Sequence, residues 1–387
     1  MKKVVIRAPL LTKSGYGVHS RQLFQYLISR PDLEVYTQCV PWGTTPWYTN
    51  TEDNDGLIGE IIKRSAPNND LKYDVSFQVI LPNEWDASLA NYNVGVTAGV
   101  ETDICNPIWT AVHCSKMDKV IVPSDHTKQS LEKSASSSTP IHVVPESYFS
   151  ELLKDPKELP LDLETDFNFL TVGVMTGDRP ETDRKNLFYL IRWFIEEFKN
   201  DKNVGLVIKT NRGRETKIDL FNTKTLMDNL LRQLGHKGTP KIHLLHGNMT
   251  REEMNSLYKH PKIKCLISAT RGEGFGLPLL EAAVAKLPVL ATGWSAHTEF
   301  LNKGKWVKFD YDLKPVDPSR IDGNIFVQGA QWAEVSETSF KKSIRKFYKS
   351  SETPKNWAKE LSKKLKETHS LSSIFKEYDK VLQEVLN

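Results

Sequence analysis

The chain has only four cysteines in 387 residues. Cys39, Cys105, Cys114 and Cys265 show no Cys-x-x-Cys spacing, which argues against a zinc site and a disulfide framework and points to a reducing, cytoplasmic interior. Long apolar runs are also missing. No stretch approaches the roughly 20 apolar residues of a membrane span, and the apolar start Val4-Val5-Ile6 is broken at Arg7, too early for the core of a signal peptide. Peripheral association with a membrane surface stays open. Excess charge of one sign is lacking too: 52 basic and 48 acidic residues are intermixed, for a net charge of +4. No polyanion-binding field is therefore demanded, and stable nucleic-acid binding is not expected. Glu101 and Asp103 form a Glu-x-Asp pair without further ligands beside it, so no bound metal is expected. There is no internal repeat or low-complexity segment, and the oligomeric state leaves no signature.

What is present describes a globular protein: 39% hydrophobic and 26% charged residues in a length that suits two domains. Short β-branched runs alternate with helical patterns, which predicts doubly wound α/β domains with parallel sheets. The weakly periodic segment Glu151–Asp166, rich in lysine and proline, reads as a linker. The expected units are residues 1–160 and 161–352, followed by helical patterns over 353–387.

The most informative stretch is Arg271-Gly-Glu-Gly-Phe-Gly-Leu-Pro-Leu-Leu-Glu-Ala282. The apolar run Ile263–Ser268 before it reads as a buried strand, and Leu279–Lys286 reads as a helix with Pro278 at a first-turn position. Gly272, Gly274 and Gly276 then occupy the turn into a helix N-terminus, where unpaired amides and the dipole favour an anion. Glu273 in the loop, and Glu281 expected in the first helical turn, repel phosphate but accept bonds from hydroxyls. A ligand with both an anion and many hydroxyls fits this pattern, as a nucleotide sugar does. Tight packing and dipole capping are the plainer explanations of the same residues.

Other candidates lie at predicted strand ends, the edge where open parallel sheets bind ligands. Gly15, Tyr16 and Gly17 follow the first strand in a loop before a helix expected over Val18–Ser29, and Glu101 and Asp103 follow the strand Asn93–Val100. In the second half, Arg179, Arg184 and Lys185 lie in the loop before an amphipathic helix carrying Leu187, Leu190, Ile191 and Phe194. Cations at a helix N-terminus oppose its dipole, a conflict that an anion held between them would resolve. Lys209 ends the strand Val204–Lys209 and could meet the charge of a leaving diphosphate.

The run Glu273-Gly-Phe-Gly-Leu-Pro-Leu-Leu-Glu281, with its Glu-x7-Glu spacing, resembles the signature of the retaining GT-B glycosyltransferases of family 4 (glycosyl transferases group 1). The likeness extends through Ala282-Ala283 and Leu287–Thr292 to Gly293–Glu299, and Arg184-Lys185-Asn186 is similar to the family's Arg-Lys element. The resemblance implies two Rossmann-like domains facing each other across a cleft, with terminal helices packing back on the first, and sugar transfer to a hydroxyl acceptor with retention, without a metal. The donor, a UDP-, GDP- or ADP-linked sugar, is a co-substrate, and no cofactor is implied; the acceptor, glycan, lipid-linked or other, is unknown. Lys185, with Arg184 or Arg179, would hold the diphosphate. Gly274, Phe275, Gly276 and Leu277 would line the donor, Glu281 would hold ribose hydroxyls and Glu273 would orient the transferred sugar. Gly15, Tyr16, Gly17, Glu101 and Asp103 would face the acceptor. A GT-B phosphorylase, an epimerase or a non-catalytic sugar-nucleotide-binding protein is the alternative.

Overall fold

The computed structural model describes residues 1–66 and 71–386. The chain forms two compact units, the first comprising Met1–Ser147, Gly323–Val327 and the segment from Leu371, the second Tyr148–Asp322 and Gln328–Ser370. Among the described residues no helix is long and apolar enough to cross a membrane.

The first unit is built on six parallel strands, β1 (Lys2–Ala8), β2 (Leu33–Cys39), β3 (Tyr73–Val79), β4 (Ala90–Val96), β5 (Lys119–Val122) and β6 (Ile141–Val143), in the order β2-β1-β3-β4-β5-β6. Val4, Val5, Ile6, Phe77, Val94 and Val96 are fully buried, as expected when helices cover both faces of a parallel sheet. The helix after β1 spans Gly15–Ile28, three residues earlier at its start than the sequence suggests. Ser14 is the reason: its hydroxyl accepts the Gly17 amide and caps the helix. Gly15 and Gly17 therefore stand in a first helical turn rather than a free loop. A Cβ on Gly17 would lie 2.1 Å from the Thr12 carbonyl oxygen, so this glycine allows the helix to close on the preceding strand end. The helix Leu371–Leu386 completes the core with Ile374, Tyr378 and Leu382, and Tyr378 stacks on Tyr26 at 5.1 Å.

The second unit repeats the plan with β7 (Phe167–Val172), β8 (Val204–Thr210), β9 (Lys241–His246), β10 (Ile263–Ser268), β11 (Val289–Thr292) and β12 (Val307–Phe309), all parallel, in the order β12-β11-β10-β7-β8-β9. Alternate residues enter two separate cores: Leu170, Val207 and Leu266 on one face, Phe169, Leu206, Ile208 and Ile267 on the other. A short antiparallel pair, Tyr311–Pro315 with Gln331–Val335, is added outside this sheet.

The unit boundary falls at 147/148 instead of 160/161, and the final segment expected over 353–387 divides. The helix Glu352–Thr368 stays with the second unit, because Leu361 and Leu365 join its core and the Ser362 hydroxyl bonds the Val284 carbonyl at 2.7 Å. Helical periodicity marks an apolar face but not the core that receives it. Asn387 lies outside the described residues.

In the second unit the chain runs from β7 outward to β8 and β9, then returns to place β10 on the other side of β7. The carboxyl ends of β7 and β10 flank this reversal, the position at which open parallel sheets bind ligands. The Arg184-Lys185 loop follows β7, and the glycine-rich loop follows β10.

Candidate functional site

The β7 loop is shaped by Asp183, which is fully buried. Its carboxylate accepts the Thr176 amide and hydroxyl at 2.8 and 3.0 Å, and the Leu187 amide at 2.7 Å. It thus ties the loop to the first turn of the helix Leu187–Glu197, while Asn186 takes a left-handed conformation (φ 56°). Arg184 and Lys185 lie between these two fixed points.

Arg271, at the end of β10, joins this loop to the next one. Its guanidinium, 1% exposed, donates to the Pro180 and Asp183 carbonyls at 2.7 Å each and makes a two-pronged pair with Glu334 at 2.8 and 3.1 Å. The Arg271 amide donates to the Arg184 carbonyl at 2.8 Å. The tryptophan ring of Trp332 lies 5.3 Å from the guanidinium carbon.

With the loops joined, the Lys185 ammonium reaches both oxygens of Glu273, at 2.6 and 2.8 Å. Arg184 lies 3.5 Å from the same carboxylate and donates to the Gly272 carbonyl at 2.6 Å. Burial by itself would raise the Glu273 pKa, but Lys185 and Arg184 outweigh it and hold the carboxyl down at about 2. The group is ionised at neutral pH, and two cations on one anion leave the cluster with a positive charge. Ser295 supports it from the loop after β11: the Glu273 amide donates to the Ser295 hydroxyl at 2.9 Å. His297 lies 3.3 Å from that hydroxyl, and its other ring nitrogen bonds the Thr292 carbonyl at 2.8 Å.

The glycine-rich loop ends at Gly276, the N-cap of the helix Leu277–Val284, with Pro278 in the first turn. Gly276 has φ +102°, and a Cβ there would lie 3.0 Å from that of His297. Gly276→Ala is expected to cost about 1–3 kcal/mol; an unchanged denaturant midpoint would show that the loop relaxes freely. Gly274 and Phe275 are buried, and the Phe275 ring packs on Phe300 at 5.4 Å, so only the backbone near Phe275 and Leu277 is suited to a polar ligand.

One expected position shifts, and three of the candidates have partners of their own. Glu281 lies in the second turn of its helix, because the helix starts at Leu277, and its carboxylate accepts the Tyr258 hydroxyl at 2.9 Å. Burial raises its pKa to about 7, against the opposing effects of Tyr258 and Arg251. Lys209 is buried near the end of β8, and its ammonium donates to the Gly247 carbonyl; burial lowers its pKa to about 8. Arg179 points elsewhere, to the Ser319 hydroxyl at 2.6 Å and Asp317 at 3.4 Å. With Arg212 and Arg320 it lines a hollow of about 250 Å³.

In the first unit, the Tyr16 hydroxyl bonds Thr97 Oγ1 at 2.8 Å and accepts the Ala98 amide at 3.1 Å, while its ring stacks on Trp42 at 3.8 Å. Burial, helped by the charge of Glu101, raises the phenol pKa far above its ordinary value. Glu101 and Asp103 are half-buried in the loop after β4, and the Ser130 hydroxyl, bonded to the Thr102 carbonyl between them, steadies that loop. Among the described residues no group of three or more His, Cys, Asp or Glu could hold a metal ion.

Sequence reasoning missed Asp183, Arg271 and the supports Ser295 and His297 as parts of this arrangement. Arg271 opens the glycine-rich run and Asp183 directly precedes Arg184-Lys185, so adjacency to the candidates was the available signal.

Residues 178–364 match the family described as Glycosyl transferases group 1. Over 181 residues the chain is 24% identical to a sucrose synthase from Melioribacter roseus, a match covering 42% of this chain and 21% of that protein. It thus spans about a fifth of that relative's length. The fold is similar to that of the sucrose-phosphate synthase from Thermosynechococcus elongatus (TM-score 0.66, 11% identity, 100% of this chain and 99% of that one). It is also similar to that of Anabaena HepE in complex with UDP and glucose (TM-score 0.61, 11% identity, 99% of this chain and 100% of that one). The fold is of the GT-B class.

Proposed function

We propose, on the premise that residues 178–364 are a group 1 glycosyl transferase domain, that this chain moves a sugar from a nucleotide-sugar donor to a hydroxyl acceptor with retention of configuration, as a family 4 enzyme. The observation that carries the reading is the Lys185–Glu273–Arg184 cluster at the point where strand order reverses.

Breaking a glycosidic bond to a diphosphate places growing negative charge on the leaving oxygens. Fixed cations stabilise that charge without reorganising. Lys185 and Arg184 supply the cations, and the Leu277 amide at the start of the helix Leu277–Val284 is a further donor. Glu273, kept ionised, is a hydrogen-bond acceptor for the hydroxyls of the transferred sugar. Two cations also make it a poor nucleophile, which favours same-face attack, with the acceptor proton passing to the leaving phosphate. Lys209 lends positive charge along the same strand edge, Arg179 is assigned to a more distant anionic group, and Tyr16, Glu101 and Asp103 are assigned to acceptor hydroxyls.

UDP sugars are the first donors to test, since HepE was solved with UDP and glucose. A thermal-shift screen of UDP, GDP and ADP sugars, followed by nucleoside diphosphate release with acceptor hydroxyls, tests the reading. Absence of any stabilising donor at millimolar concentration would sink it.

Glu281 is assigned to the ribose hydroxyls, with a consequence for pH. Without ligand its pKa near 7 leaves it about half protonated at neutrality. Hydroxyls that donate to it favour the carboxylate, so UDP binding at pH 7 should release a fraction of a proton. Calorimetry in buffers of different ionisation enthalpy measures this, and zero release removes Glu281 from the role. The same raised pKa sets a stability trend: between pH 4.5 and about 7 the folded form keeps a proton that the unfolded form has lost. This group's contribution to stability therefore falls as pH rises through that window.

A further inference from the structure

The second unit has a hollow of about 710 Å³ that uses none of the residues assigned above. One wall is Lys308 on β12, the edge strand of its sheet. The second is the helix Glu337–Lys349, which turns Lys342, Ser343, Lys346 and Phe347 into the space, and the third is Trp357 from the helix Glu352–Thr368. The volume lies in the range of small-ligand sites.

Charge on this helix is divided unevenly. Lys341 pairs with Glu196 and Glu337, and Arg345 with Glu197 and Asp201. Lys342 and Lys346 are exposed, one turn apart, and among the described residues neither has an acidic partner. Like charges at this spacing repel, and the last-turn dipole helps only Lys346. Asp310 is the only carboxylate in the lining, against three lysines. The hydroxyls of Ser343 and Thr353 also lack partners among the described residues. Trp357 is half-buried and offers an apolar face beside them.

Unneutralised ammonium groups, free hydroxyls and an indole face in one concavity suit a ligand that is both anionic and hydroxyl-rich. We propose that this hollow binds a saccharide bearing carboxylate or phosphate groups, as a second carbohydrate site apart from the one assigned to transfer. A concave shape fits a discrete ligand better than a bilayer surface, and charge complementarity selects anionic over neutral sugars.

Calorimetry on the full chain tests this with trigalacturonate and glucose 6-phosphate as anionic probes and maltotriose as the neutral control. At least one anionic probe should bind while maltotriose does not, and Lys342→Glu with Lys346→Glu should weaken binding by about tenfold or more. Trp357→Ala should also weaken it, whereas Lys185→Ala should not, which separates this site from the donor site. An unchanged circular-dichroism melting temperature in the lysine variant shows that its fold is intact and keeps this test independent of the transferase reading. Equal binding of maltotriose, no binding of either anionic probe at millimolar concentration, or full affinity in the lysine variant overturns the proposal. Binding to phosphatidylserine vesicles without binding of either anionic saccharide overturns it as well, in favour of a membrane surface.

Discussion

Lys185→Ala is expected to lower sugar transfer by about a thousandfold, since loss of one preorganised charge donor commonly costs 10²–10³ in rate. The ammonium that contacts both Glu273 oxygens is the closest cation to the group proposed to orient the sugar. The change also acts on stability. Glu273 has its pKa depressed from 4.5 to about 2, so its ion pair contributes stability that is fully present above pH 4.5 and lost as pH falls toward 2. Without Lys185, Arg184 at 3.5 Å is left as the main charge opposing burial of the carboxylate. The variant should therefore unfold at a higher pH in an acid titration than the parent. Glu273→Gln separates the two roles of the pair: it frees the Lys185 charge, so UDP should bind at least as tightly as to the parent while transfer slows. Steady-state kinetics with calorimetric UDP binding checks both. A Lys185→Ala protein with normal transfer would end the assignment.

Arg271→Leu is expected to be the most destabilising single change in the second unit, at about 3–5 kcal/mol. The side chain is 1% exposed, so its removal takes the guanidinium donor from the Pro180 carbonyl, leaves the Asp183 carbonyl with the Asn186 amide, and leaves Glu334 without its counter-ion. For a domain of this size the loss corresponds to a fall in melting temperature of about 10 °C. Arg271→Lys should recover little of it, because one ammonium cannot make the forked pair with Glu334 and reach two carbonyls. Circular-dichroism melting of the three proteins decides the matter, and a leucine variant melting with the parent would rule out the assigned role. Transfer should fall with stability, since Arg271 fixes the two loops that bring Lys185 to Glu273.

Much of this architecture is legible in the residues. β-branched runs mark the strands, and Pro278 stands in the first turn of its helix as its position suggests. Helix starts were harder to read. The Gly15–Ile28 helix begins among glycines because of a hydroxyl one residue upstream, and propensity at Gly15 and Gly17 points the other way. Starting the motif helix at Leu277 moves Glu281 into the second turn and toward Tyr258. Arg184, Lys185 and Glu273 are each visible as candidates, but their pairing depends on β10 lying beside β7. Periodicity does not reveal strand order. Arg271 is the clearest example: an arginine next to glycine looks like surface charge until the carbonyls around it are known.

The helix Leu371–Leu386 supplies Ile374, Tyr378 and Leu382 to a core whose sheet ends at Val143. During synthesis those strands emerge long before the helix that covers them, and the whole second unit is made in between. The first unit therefore waits, with apolar surface exposed, while the second is able to fold. A nascent chain stalled before Leu371 should engage chaperones through its N-terminal residues, reversing the usual N-terminal-first order of domain folding.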